Sequence, residues 1–321
     1  MTMKRIGILT SGGDAPGMNA AIRSALRTGI HLGMEVYGIS RGYEGLIDGD
    51  IQKLEWASGG DILHRGGTIL KTARSSRFME KKWQEHAVGI LRAYGIEGLV
   101  VIGGEGSMKG ALELSKLGID VAVVPGTIDN DMGYTDMTIG FDTAVNTTLN
   151  LIGNIRDTSS SHERTTIIEV MGRHCGDLAL YAGLGGGADV IMVPEVPQDI
   201  NEVCRRVLRG QSSGKVHSII VKAEGVDIDS RRLAEILEEM TGREARIVVP
   251  GYIQRGGSPT EADRRLASLT GAKAADVLYN DSGSRAVGIL QGEIVALDLE
   301  EAVGMKREFR MDMYNLANVL S

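Results

Sequence analysis

The sequence predicts an α/β protein built on parallel sheets covered by helices, and three observations lead there. Short β-rich runs recur between helix-period segments along the 321 residues. The 44 glycines gather where those runs begin or end, as expected where backbone must approach a ligand closely. An apolar run, residues 121–124, leads straight into the acidic loop Pro125-Gly126-Thr127-Ile128-Asp129-Asn130-Asp131, the position at which an open α/β sheet keeps its chemistry.

In chain order the expected strands are 5–10, 35–40, 98–102, 120–124, 165–170, 190–193, 217–222, 246–249 and 285–290. A helical pattern opens at about Ala20 after the first strand, and a second covers 108–117. Residues 139–157 set Ala144, Val145, Leu149, Ile152 and Ile155 one to four apart, as an amphipathic helix does, with Arg156 near its end. Residues 177–181 are also helix-like. Six prolines supply no linker, and neither a fixed-period repeat nor a low-complexity tract is present, so the sequence alone marks no domain boundary.

Composition narrows the function classes. The length allows a sizeable core and two domains, and 42% hydrophobic residues are ordinary for a soluble globular chain. Acidic residues exceed basic ones by 42 to 35, without a Lys/Arg cluster dense enough for nucleic acid or a membrane surface. Any polyanion bound is therefore small and held locally. Cys175 and Cys204 are too few for a disulfide framework and read as buried small hydrophobes. The N-terminus runs into too few apolar residues for a secretory leader, and no segment spans a bilayer, so a reducing cytoplasm is the expected location.

Three loops carry the candidate chemistry. Thr10-Ser11-Gly12-Gly13-Asp14 joins the first strand to a helix N-terminus, an arrangement that binds anions through backbone N–H groups. It is not a Walker loop, because no Lys-Ser or Lys-Thr follows. Gly103-Gly104-Glu105-Gly106-Ser107 repeats the pattern after residues 98–102. In the acidic loop one carboxylate can accept a proton from a sugar hydroxyl while its neighbour holds magnesium. An isolated Asp-Asn-Asp reads as a solvated turn, and an isolated glycine turn is a packing feature about as often as a ligand contact. The three together read as a phosphoryl-transfer site.

Two near-matches are set aside. Residues 210–216 fall one short of a Walker spacing and read as a helix C-terminus, and 183–188 follow a helix where a dinucleotide fingerprint follows a strand. Arg164, Arg173, Arg246 and Arg255 sit beside strand-like or glycine-rich segments, where arginine suits bidentate phosphate contact. His162, His174 and His217 lack metal-ligand spacing and read as structural.

On five long motifs the chain resembles bacterial 6-phosphofructokinases along nearly its whole length: residues 9–23, 125–131, 156–162, 171–173 and 253–259. The resemblance implies two Rossmann-like three-layer domains with mainly parallel sheets and the active site in the cleft between them. The larger, ATP-binding domain would take 1–140 plus 256–302, and the smaller, fructose-6-phosphate-binding domain 141–255 plus 303–321. It implies a cytoplasmic glycolytic kinase that uses ATP and Mg²⁺, assembled as an allosteric homotetramer. By the same resemblance Asp129 is the general base, with Thr127 beside it, Asp131 near the metal, and Arg173 on the transferring phosphoryl group. Gly13, Arg74, Ser75, Gly104, Glu105, Gly106 and Ser107 resemble the ATP site, with Glu105 also toward the metal. Thr127, Ile128, Met171, Gly172 and Glu224 resemble sugar contacts; Arg164 and Arg246 would reach a neighbouring subunit's site, and Arg255 and Tyr252 would meet the 6-phosphate. Arg23, Arg27, Arg156, Asp189 and Lys215 match an effector site for ADP or phosphoenolpyruvate.

The chain departs from the family pattern at four of these places. Glu105 stands where Asp is usual, Tyr252 where histidine is common, Ser213 where a basic residue is usual, and Asp189 where Glu is usual. Phenol donates one hydrogen bond and brings no positive charge. Pyrophosphate-using relatives carry Asp at the position of Gly106 and Lys at that of Gly126; both are glycine here, which favours ATP. The competing readings are a catalytically weak regulatory paralogue, suggested by Glu105 with Tyr252, and a pyrophosphate-dependent enzyme.

Overall fold

The structure, a computed structural model, describes residues 5–280 and 283–321. The chain divides into two compact units. The first runs through Ile128 and adds Met132–Thr143 and Arg255–Arg307; the second comprises Asp129–Asp131, Ala144–Gln254 and Glu308–Ser321.

In chain order the elements are β1 (Arg5–Thr10), α1 (Met18–His31), β2 (Glu35–Ile39), α2 (Gly42–Asp48), β3 (Ile51–Leu54), α3 (Lys81–Ala93), β4 (Gly98–Gly103), α4 (Glu105–Lys116) and β5 (Asp120–Pro125). They continue with α5 (Phe141–His162), β6 (Thr165–Val170), α6 (Asp177–Gly185), β7 (Val190–Met192), α7 (Ile200–Ser212), β8 (Ser218–Ala223), α8 (Ser230–Thr241) and β9 (Ala245–Val248). The last are α9 (Glu261–Asn280), β10 (Arg285–Leu290), β11 (Glu293–Asp298), α10 (Leu299–Gly304) and α11 (Met311–Leu320).

Among the described residues the first unit carries a seven-stranded sheet in the order β11-β10-β5-β4-β1-β2-β3. Its inner strands pair in parallel and its two edge strands, β3 and β11, pair antiparallel. β4 is buried along its whole length, and such a continuous apolar run belongs in the middle of a parallel sheet covered on both faces. Each fully buried Val, Ile or Leu contributes about 1.5–3 kcal/mol. The second unit carries a four-stranded, all-parallel sheet, β7-β8-β6-β9.

The α/β class expected from the sequence is the class observed, with differences that have physical reasons. β3 and β11 were not expected: edge strands face water, and Gln52 and Lys53 break the apolar pattern. The β10–β11 hairpin closes through Gln291 and Gly292, both at positive φ, without the Asn-Gly signal that marks such a turn. Helix α4 begins at Glu105, three residues before the expected start, so Glu105, Gly106 and Ser107 form its first turn. α1 begins at Met18 and α5 covers Phe141–His162, while β8 and β9 differ from expectation by one residue. Gly183 lies in α6, where a Cβ would strike Ile191, so it is a packing glycine. Both cysteines are buried and free. Among the described residues no helix is long and apolar enough to cross a membrane.

Candidate active site

In the first unit the adjacent strands β1, β4 and β5 deliver their C-terminal loops to one place. Ser11 N–H donates to Ile102 O at 3.0 Å, and Gly126 N–H donates to Gly103 O at 3.0 Å. A Cβ at Gly103 would lie 2.5 Å from Ser107 Oγ and 2.6 Å from Ser11 O, and one at Gly104 would lie 3.3 Å from Thr127 Cβ. Glycine is required there because three backbones converge. Gly12, Gly13, Gly104, Ser107 and Thr127 are thereby brought together, beside the first turn of α4 with its N–H groups and partial positive charge.

Arg255 also belongs to this unit. It is buried, donates to Asp14 O at 3.1 Å, and lies where a Cβ on Gly13 would have to be. The sequence assigned Gly13 to nucleotide and Arg255 to sugar phosphate; here the two are in contact. Ser75 donates to Glu44, which also holds Arg77, whereas Arg74 is exposed. Glu44 was missed because a single acidic residue in a helix reads as solvated. Tyr43, stacked on Phe78 at 4.1 Å, donates to Ser107 O at 2.6 Å and steadies the start of α4.

Glu105 pairs with Lys109 at 2.6 Å across one helical turn and remains half-exposed. Among the described residues no three acidic, His or Cys side chains cluster as a metal cage. Magnesium bound by one or two carboxylates, substrate phosphates and water needs no cage, so the accessible Glu105 carboxylate of the first unit and, taken by itself, the Asp131 carboxylate of the second each fit that donor chemistry.

In the second unit Asp129 is buried and Arg173 Nε stands 3.5 Å from its Oδ2. Asn130, the next residue, and Arg173 sit in backbone that side-chain-bearing residues rarely adopt. Asn130 has φ 54° and donates through Nδ2 to the fully buried Asp177 at 2.9 Å; asparagine tolerates this conformation better than most. Arg173 also has φ 54°, after Gly172 at φ 133°. That turn is held by Glu224, whose Oε1 accepts from Arg173 N–H at 2.8 Å, and by Gly225, where a side chain would collide with Arg173 O. Strain of this kind persists only where the surroundings over-determine it. Asp177 and Glu224 therefore shape the site from beneath. Burial, with Asp177 next in weight, pushes the Cys175 thiol well up, which keeps it inert.

Beside this turn lies a cavity of about 210 Å³ lined by Glu169, Val170, Met171, Glu224, Val249, Gly251, Tyr252 and Gln254. Gln254 accepts from Met171 N–H at 3.2 Å, a role the sequence did not reveal. Tyr252 is 83% exposed at the rim. Arg164 and Arg246 do not join this group. They stand at the opposite, N-terminal ends of β6 and β9, where Arg246 pairs with Glu244 and Arg164 Nη2 lies 3.4 Å from Thr158 Oγ1.

The five effector candidates fall in two sets. Lys215 Nζ meets Asp189 Oδ1 at 2.7 Å, and Arg156 donates to the carbonyl of Gly187 at 3.0 Å. Asp189, Ser213 and Lys215 line a cavity of about 280 Å³ with Arg206 and Arg209. Arg23 and Arg27 lie on α1 in the other unit; burial first, and Arg27 second, lower the Arg23 pKa.

A phosphofructokinase family model matches residues 5–278. The chain belongs to the phosphofructokinase family. Proteins named ATP-dependent 6-phosphofructokinase are 56% identical over 321 residues in Alkaliphilus metalliredigens and 53% over 319 in Clostridium acetobutylicum, each match covering 99% of this chain and all of the relative. Among solved phosphofructokinases, that of Saccharomyces cerevisiae superposes with a TM-score of 0.92 at 33% identity; the match covers 98% of this chain and 50% of the yeast chain. A pyrophosphate-dependent phosphofructokinase from Marinobacter aquaeolei, 22% identical with a TM-score of 0.85 over 97% of this chain, shares the fold.

Proposed function

We propose that this protein is an ATP-dependent 6-phosphofructokinase, moving the γ-phosphoryl group of ATP to the 1-hydroxyl of fructose 6-phosphate to give fructose 1,6-bisphosphate and ADP. The observation that carries the reading is a buried carboxylate, Asp129, with the Arg173 guanidinium 3.5 Å away, in a chain 56% identical to a relative of that name.

Asp129 accepts the proton of the attacking hydroxyl, a step worth about 10² to 10⁴-fold. Arg173 offers N–H donors and positive charge to the oxygens of the moving phosphoryl group, where most of the acceleration in such reactions arises. Gly13 and the Gly104 to Ser107 turn bind the nucleotide phosphates through close backbone approach, Arg74 and Ser75 complete that nucleotide site, and Thr127 contacts the sugar. Met171, Gly172 and Glu224 meet the sugar, with Tyr252 at the rim and Arg255 on the 6-phosphate. Glu105 and Asp131 would hold Mg²⁺, which neutralises phosphate charge when bound.

The N-terminal placement of Arg164 and Arg246 on their strands suits residues that serve a neighbouring subunit, in line with a homotetramer in the cytoplasm. Arg23, Arg27, Arg156, Asp189 and Lys215 would take ADP or phosphoenolpyruvate as effector. The test is initial rate with fructose 6-phosphate, magnesium and either ATP or pyrophosphate. Turnover with ATP well above that with pyrophosphate is expected, and the reverse order overturns the donor assignment.

A further inference from the structure

β8 reads Ser218-Ile219-Ile220-Val221-Lys222-Ala223, and the lysine is out of place there. β8 and β6 are the two inner strands of the second unit's sheet, where continuous apolar runs are expected. Lys222 is nevertheless 2% exposed. Its register partner across the parallel pair is Glu169, so the two side chains share a face of the sheet, and Nζ meets Glu169 Oε2 at 3.1 Å. The Ser230 hydroxyl, in the first turn of α8, donates to the same oxygen.

Stability alone does not account for this pair. Two ions taken out of water repay their desolvation only when geometry is excellent, and an apolar pair of similar volume is often as stable or more so. What the pair does achieve is geometric. Both donors meet Oε2, Glu169 keeps 25% exposure, and Glu169 lines the 210 Å³ cavity next to Met171 and Glu224. It stands one residue before the end of β6, at the carboxyl edge where open α/β sheets bind ligands. None of the eight lining residues is Lys or Arg, so the cavity suits the hydroxyl-bearing body of a sugar rather than its phosphate.

Resting on the functional reading above, we propose that Glu169 contacts substrate, accepting a hydrogen bond from a hexose hydroxyl through Oε1, and that Lys222 is the buried positioning residue that aims it. Ser230 fixes the remaining freedom of the carboxylate. The arrangement holds an acceptor in place before the sugar arrives, which reduces the ordering that binding must supply. It makes fructose 6-phosphate affinity depend on a lysine that never meets the ligand.

The test uses the full chain, with steady-state kinetics, calorimetric binding of fructose 6-phosphate and thermal melting. Glu169→Gln keeps shape and removes charge; it is expected to raise KM for fructose 6-phosphate roughly tenfold while KM for ATP stays within about twofold, the scale of one hydrogen bond to a charged group. Lys222→Met is expected to raise the same KM and lower the melting temperature. The double variant Glu169→Leu with Lys222→Met recovers melting temperature and keeps the raised KM. Recovery of sugar affinity in that double variant, or an unchanged KM in Glu169→Gln, overturns the proposal by making the pair structural only. Failure of the wild-type protein to bind fructose 6-phosphate is a separate result that removes the functional reading beneath it.

Discussion

Arg173 Nε stands 3.5 Å from Asp129 Oδ2, joining a carboxylate that is 4% exposed to a guanidinium that is 49% exposed. The acid is sheltered and the cation reaches out, the polarity that proton acceptance and phosphoryl stabilisation each need. Replacing Arg173 with alanine is expected to lower kcat by about 10²-fold or more while KM for ATP changes little, as when a donor acting on the transition state is removed. Arg173→Lys retains charge without the planar fork and is expected to recover only part of the loss. Rapid-quench measurement of the chemical step checks both.

The contact between Gly13 and Arg255 couples two loops distant in sequence. Gly13→Ala forces the guanidinium aside, so it is expected to raise KM for fructose 6-phosphate as well as for ATP. A cycle with Arg255→Ala checks this: the double variant resembles Arg255→Ala alone, because neighbours in contact are not additive.

The proposed choice of ATP as donor rests on two glycines with unlike surroundings. A Cβ at Gly106 meets nothing within 4 Å, whereas one at Gly126 would lie 3.0 Å from Ile102 Cγ2. Gly106→Asp is therefore expected to fold with an unchanged melting temperature yet lose most ATP-dependent turnover, because its carboxylate would enter the space proposed for the ATP phosphates. Gly126→Ala is expected to lower the melting temperature. Circular dichroism melts with assays at saturating ATP separate the two effects.

His217 supplies a pH dependence. Burial, and then the charge of Arg156, lower its pKa from 6.5, and its Nδ1 is buried without a hydrogen-bond partner. Asp189 opposes the shift, and Lys215 adds to it. The unfolded chain therefore binds the proton more readily, so this residue's contribution to stability is complete above 6.5 and falls as pH drops into the window just below it. Urea midpoints at pH 7.5 and 5.5 are expected to differ more for the wild type than for His217→Asn.

The inner strands were legible in the sequence because burial on both faces imposes apolar runs, as in β4 and β5. β3 and β11 were not, because water on one side removes that demand. Gly106 hid the start of α4, since glycine inside a helix costs about 1 kcal/mol and ordinarily reads as a turn. The glycine loops and the acidic loop were visible because each is local. Lys222 with Glu169, Asp177 with Asn130, and Glu224 with the Arg173 N–H lie 53, 47 and 51 residues apart, and only strand register and backbone dihedrals bring them together.

The proposed transfer of the sugar hydroxyl proton to Asp129 is tested by single-turnover phosphoryl transfer in Asp129→Asn. Asparagine preserves shape and hydrogen bonding while removing the basic charge. A rate of transfer from ATP reduced by about 10² to 10⁴-fold, with fructose 6-phosphate binding retained, is the predicted result. Transfer at the wild-type rate in that variant would contradict it.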